Sequence, residues 1–167
     1  MTVRDVLRYP HALLKTKCRD VAPADPAVQG MVQDMLDTLN ASPGVALAAP
    51  PIGYAVRVIV VDVSRDRREE HRRGHGLVVL LNPVLLSCEE MRVVREGCLS
   101  VPDFTANVMR GGRTVVQGVT PQGETRVLEA LGFEALAFQH ELDHLDGTLF
   151  LDRVASLKHD LFPRKQR

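Results

Sequence analysis

Apolar side chains recur every three or four positions in ADPAVQGMVQDMLDTLN (residues 24–40), where Val28, Met31, Val32, Met35, Leu36 and Leu39 would cover one face of a helix. Asp25 suits the N-cap, and Pro26 the first helical position, where a missing N–H costs nothing. The segment SPGVALAAPPIG (42–53) breaks the pattern. Its adjacent Pro50 and Pro51 remove two donors and forbid a continued helix, so it reads as a rigid turn or a loop beside a sheet. Short valine- and leucine-rich runs follow: YAVRVIVVD (54–62), GLVVLLNP (76–83), VLLSCEEMRVV (84–94), RTVVQGVT (113–120) and ETRVLEA (124–130). TPQGE joins the last two as a hairpin turn. No long helical pattern separates these runs, which favours a mainly antiparallel sheet over a doubly wound one. In LGFEALAFQHELDHLDG (131–147), Phe133, Leu136, Ala137, His140 and His144 fall along one side of a second helix, expected to face into the protein, and Gly147 offers a stop. The fold class is α+β, with one helix before the sheet and one after it.

Length and composition narrow the picture. A chain of 167 residues, 45% apolar and 25% charged, suits one compact unit, a single domain over residues 1–167. Lysine plus arginine equals aspartate plus glutamate at 21 each, so no global field draws the protein to nucleic acid and no direct binding to it is expected. RDRREEHRR (65–73) mixes both signs and reads as a solvated hairpin or loop; PRKQR closes the chain, after a tail that starts as a helix and is halted by Pro163. No apolar run approaches the roughly 20 residues that span a bilayer. Charges in MTVRDVLRYPHALL occupy the place of a signal peptide's apolar segment, so the expected address is cytoplasmic, with no membrane partner. Cys18, Cys88 and Cys98 cannot all pair within one chain and form no zinc-ribbon spacing.

The chemistry concentrates in QHELDHLDG (139–147). Histidines four residues apart can aim both imidazoles at one ion, and Glu141 lies roughly 100° round the helix, within reach of a water at that ion. Such a set suits metal-assisted hydrolysis: the ion acidifies water, and the carboxylate takes its proton and delivers it to the leaving nitrogen. The structural alternative is a buried histidine pair satisfied by its neighbours. For a third ligand, Glu134, Asp152 and Asp160 are acidic candidates. Cys98, in the glycine-containing REGCLSVP, is favoured over them, although composition does not choose it over Cys88. Thiolate, two imidazoles and a water would complete a tetrahedral catalytic site.

EGCLS (96–100) together with QHELDHLDG resembles the peptide deformylase family, and GVALAAP (44–50) resembles that family's first motif. The likeness runs from about Val6 to Leu151 in the family's order. It implies an α+β fold of mainly antiparallel strands around a central helix bearing the histidines. It also implies Cys98, His140 and His144 as metal ligands, with Glu141 as general base and acid. The implied reaction removes the formyl group from the N-terminal formylmethionine of nascent peptides and releases formate. The backbone of Gly44, Val45, Ala46 and Leu47 would pair with the extended peptide, the Leu99 amide would hold the oxyanion, and Gly97 would leave room for close approach. The metal implied is Fe2+, with Zn2+, Ni2+ or Co2+ able to use the same ligands. Implied partners are formylated peptide N-termini and, transiently, the ribosome, for a monomer or homodimer.

Two departures stand out. Ala46 replaces the first motif's second glycine, and Pro51 replaces its glutamine, whose side chain donates to the formyl oxygen in that family. Two alternatives therefore stay open: an amidase acting on another small formyl or acyl amide, and a metal-containing protein that binds peptide termini with little turnover. Gln139 is a candidate replacement donor. Arg110 reads either as a contact to a substrate carbonyl or as a solvated arginine, Tyr54, Phe104 and Phe138 as core, and Ser100 as a local backbone partner.

Overall fold

The computed structural model describes residues 2–165. Helix α1 spans Pro26–Asn40, with the Asp25 carboxylate accepting the Ala27 N–H at 2.9 Å. This is the cap that sequence places there, and it satisfies one of the orphan donors of the first turn. Strand β1, Ala46–Ala48, follows and runs into a single 3-10 turn over Pro50–Ile52. The small residues before the prolines thus form a short edge strand. Strand β2, Val58–Val61, is wholly buried.

Two of the expected strands are one. Strand β3 runs from Val78 to Cys98 through Pro83, because a bulge absorbs the proline's missing donor: Asn82 takes φ +51, and the register slips between Leu81 and Val84. The Asn82 amide then pairs with both backbone groups of Val21, at 2.8 and 2.9 Å. Strand β4, Val101–Val119, likewise starts earlier than periodicity suggests and takes in VPDFTANVM. A Cβ at Gly111, in mid-strand, would collide with Cys88 Sγ and stand 2.9 Å from the Glu89 carbonyl oxygen. Strand β5 is Thr125–Leu131. All neighbours are antiparallel in the order β1-β2-β3-β4-β5, and β6, Leu161–Pro163, joins the free side of β4 after the short helix α3, Leu157–Asp160.

Helix α2, Gly132–Leu145, is the second long helix, and here the expectation of a single inward face needs correction. It is buried almost all round, including Glu134, Gln139, Asp143 and His144. The reason is its central place: apolar residues of β1, β2, β4 and β5 pack on it through Ala135, Phe138, Leu142 and Leu145. Burial of polar groups then demands partners. Gln139 exchanges two hydrogen bonds with the Gly111 backbone, at 2.8 and 2.9 Å, as a neighbouring strand would. Glu134 accepts from the His75 backbone and ring. The side carrying Phe133, Leu136 and His140 is the one that opens to a cavity. The segment 65–73 is indeed a loop with a 3-10 turn, but it is not merely solvated, since His71 stacks on Phe133 with ring centroids 4.1 Å apart. No described helix is long and apolar enough to cross a membrane.

Candidate metal centre

Helix periodicity carries His140 and His144 to the same side of α2, with ring centroids 5.0 Å apart. The tight β3–β4 turn brings the third group. Cys98 pairs with Val101 across a two-residue connection, and its Sγ lies 3.4 Å from His144 Nε2. One ligand atom from each of Cys98, His140 and His144 lies within 4.8 Å of the others. Glu134, bound to His75, Asp152, paired with Lys15, and Cys88, against Gln139, are all engaged elsewhere. Of the candidates that spacing left open, packing brings Cys98 to the histidines.

The donors fit a divalent transition metal. His140 Nδ1 donates to Glu96 Oε1 at 2.5 Å, which leaves its Nε2 lone pair for an ion and fixes the ring from behind, the support usual for metal-ligating histidines. Burial opposes ionisation of the Cys98 thiol, yet the charges and hydrogen bonds of His140 and His144 bring it well below the ordinary thiol range, towards the thiolate that ligates metals. Burial also disfavours a charged His140, and Cys98 and Glu96 outweigh it, raising that histidine well above its ordinary value. A cation entering here takes the place of the proton that balances the thiolate. Sulfur with two nitrogens excludes a preference for hard ions such as magnesium and suits iron, zinc, nickel or cobalt.

Behind the trio lies a charged chain that motif reading missed. Burial pushes Glu96 up, but His140 and a two-pronged grip from Arg110, at 2.7 and 2.9 Å, hold it down at about 2. Arg110 also donates to Asp143 at 2.7 Å, and Asp143 receives two bonds from Arg153. Arg110 is therefore neither solvated nor a substrate contact. It is 2% exposed and bound to two carboxylates, one from β3 and one from α2. Burial alone would lower its pKa, and Glu96 and Asp143 more than reverse that.

The cavity beside the trio measures about 420 Å³. Gly44, Val45 and Ala46 on the β1 side face Gly97, Cys98 and Leu99 across it, with Phe133, Leu136 and Ala137 forming an apolar wall. Leu47, expected with the substrate contacts, turns its side chain into the core against α1. The approach is close, since a Cβ on Gly44 would lie 3.6 Å from Leu99 Cδ1. The Leu99 N–H meets no acceptor among the described residues. Glu141 lines the same cavity while 5% exposed, and burial raises its carboxyl above the ordinary value against the pull of His140 and His144. Gln139 is occupied by Gly111 and cannot serve as the replacement donor. Pro51 is buried outside the cavity lining, its carbonyl taken by the Leu7 N–H at 2.7 Å. Phe138 is core as expected, and Tyr54 bonds Asp34; Ser100 Oγ is buried without the backbone partner expected of it.

Comparison with known proteins agrees with this geometry. The sequence profile of the polypeptide deformylase family matches residues 3–160. Peptide deformylase of Syntrophobacter fumaroxidans is 38% identical over 165 residues, covering 99% of this chain and 94% of its own length. That of Desulfosudis oleivorans is 40% identical over 166 residues, covering 99% and 93%. Among solved structures, peptide deformylase of Legionella pneumophila superposes with a TM-score of 0.84 at 33% identity, over 94% of this chain and 89% of that one. The Met-Ala-Ser-bound enzyme of Acinetobacter baumannii reaches 0.84 at 32% identity, over 92% and 99%. A profile match and identities of this kind along nearly the whole length, joined to the converged cysteine and histidines, place this chain in the polypeptide deformylase family.

Proposed function

We propose that this protein is a metal-dependent deformylase that removes the formyl group from N-terminal formylmethionine of new peptides and releases formate. The observation that carries the reading is the convergence of Cys98, His140 and His144 in one cavity with a buried Glu141. Family membership supports it, as does the Met-Ala-Ser bound to the Acinetobacter relative. Cys98, His140 and His144 would hold the metal, which when bound would supply the Lewis acidity for attack of water on the formyl group. Glu141 accepts a proton from the attacking water and returns it to the methionine nitrogen as the C–N bond breaks, so that formate and a free amine leave. Its raised pKa suits that exchange. The free Leu99 N–H takes the developing oxyanion. The outer edge of β1, backbone at Gly44 to Ala46, pairs with the extended peptide, and the wall of Phe133, Leu136 and Ala137 takes the methionine side chain.

Iron is the proposed resident metal, and the cytoplasm, where nascent chains emerge, the proposed address. Protein purified without oxygen and loaded with iron is expected to release formate from formyl-Met-Ala-Ser, to lose that activity in air, and to regain it when iron is restored. Full activity after exhaustive chelation, with the metal shown to be gone, would remove the ion from the reaction.

Pro51 bears on the rate. One oxyanion donor is worth about 10²–10³-fold in kcat in other hydrolases. Pro51→Gln is expected to raise kcat by up to about that factor if the cavity lacks a second donor. An unchanged kcat would mean either that the Leu99 amide suffices or that a side chain at position 51, which lies outside the cavity lining, does not reach the formyl oxygen. The absent donor is also the observation that favours a second reading, an amidase for another small formyl amide, which preferential turnover of a non-peptide formyl compound would select.

A further inference from the structure

The C-terminal arm is not part of the metal centre, yet it reaches the cavity. Strand β6 pairs Leu161, Phe162 and Pro163 with Ala106, Thr105 and Phe104, and the Arg164 N–H then donates to the Asp103 carbonyl at 2.7 Å. These bonds pin the backbone while the Arg164 side chain crosses back over Gly97, so closely that a Cβ there would collide with Arg164 Nη2. Gly97 is the residue before the ligand Cys98, and Arg164 lines the cavity beside it. No carboxylate or other hydrogen-bond acceptor among the described residues engages the Arg164 guanidinium. Arg95 stands on the same rim and braces the arm, its guanidinium carbon 3.6 Å from the Phe162 ring centroid and its Nε bonded to Asn107 at 2.9 Å. The rim carboxylate, Asp66, is engaged within its own loop by the Arg68 N–H at 2.8 Å, with His71 Nδ1 3.3 Å away.

A pinned arginine without a partner, set beside the cleft edge, selects for negative charge on whatever lies there. We propose that Arg164 is a specificity-determining residue that receives a carboxylate on the peptide downstream of formylmethionine, giving this enzyme a preference for acidic residues after the first. The proposal rests on the deformylase reading, which supplies a peptide in the cavity that Gly97 and Arg164 line. Among the described residues the Arg164 side chain makes no hydrogen bond to Cys98, His140, His144 or Glu141, so its effect is expected on KM, with kcat retained.

The test compares formyl-Met-Ala-Asp-amide with formyl-Met-Ala-Lys-amide, and formyl-Met-Asp-Ala-amide with its lysine counterpart, using the iron-loaded full chain. The wild type is expected to show a KM lower by about three- to tenfold for an aspartate peptide of at least one pair, and to lose that preference at high salt. In Arg164→Ala the KM ratio falls to about one with kcat retained, and Arg164→Lys keeps part of it. Arg92→Ala removes one positive charge from an exposed strand position away from the cavity and should leave the ratio intact. A ratio in Arg164→Ala equal to that of the wild type, or a ratio that Arg92→Ala abolishes equally, would overturn the assignment. Turnover of neutral formyl-Met-Ala-Ser-amide reports on the deformylase reading separately. If no peptide turns over, equilibrium binding of the same four peptides to the metal-loaded protein gives the ratio directly, and equal affinities would reject the role of Arg164.

Discussion

Glu141→Gln is expected to reduce formate release by about 10²–10⁴-fold while metal content and folding remain those of the parent. Glu141 is 5% exposed, lines the cavity and, among the described residues, makes no side-chain hydrogen bond that a glutamine would break. Its burial already raises its pKa, so a neutral isostere is comfortable in the same space. What glutamine lacks is the capacity to take a proton from water and hand it to the leaving nitrogen. Formate release, metal stoichiometry and the melting temperature measured on the same sample separate the roles. A kcat within tenfold of the parent would show that another group carries the proton, whereas loss of metal would recast Glu141 as a ligand.

Arg110→Met should be the most damaging substitution outside the ligand set. It leaves the buried Glu96 and Asp143 without their shared cation, and unpairing buried charges in this way costs about 3–5 kcal/mol. For a chain of this size that corresponds to a fall in Tm of about 6–20 °C. Metal affinity should fall too, by about 10–100-fold, because Glu96 orients His140 and would itself be mispositioned. Arg153→Met provides the contrast. It also removes a partner of Asp143, but its side chain is 44% exposed, so water replaces much of what is lost and the cost should stay near 1 kcal/mol or below. Equal losses for the two variants would show that burial does not set the strength of this chain of charges.

Legibility in the sequence followed the range of the interactions. Helix α1 could be read together with its cap because periodicity, Asp25 and Pro26 are local signals that agree. Strand β3 was harder. Pro83 looks like a terminator, and only the pairing of Asn82 with Val21, 61 positions away, shows how the strand continues past it. The histidine helix was legible as a helix but misjudged as amphipathic, since an element at the centre of a fold has no solvent side to mark with polar residues. Arg110 was misjudged for a related reason: its partners Glu96 and Asp143 lie 14 and 33 positions away, and nothing local announces them. Arg164 gave no signal at all, because only the zipping of β6 onto β4 returns it to the cavity.

The residues themselves determined the helix stripes, the antiparallel class and the His140, Glu141 and His144 set, all of which depend on spacing within a few turns of chain. The likeness of EGCLS and QHELDHLDG then singled out Cys98, and packing sets its sulfur beside the two histidines. Tertiary structure alone decided that Cys98 Sγ meets His144 Nε2 across 46 positions, that Glu96 and Arg110 brace the centre from behind, and that Gln139 is committed to Gly111. The physical reason is the same in each case: a buried polar group must find its partner in space, and the strand pairing that supplies it is a property of the folded sheet and not of any neighbouring stretch of chain.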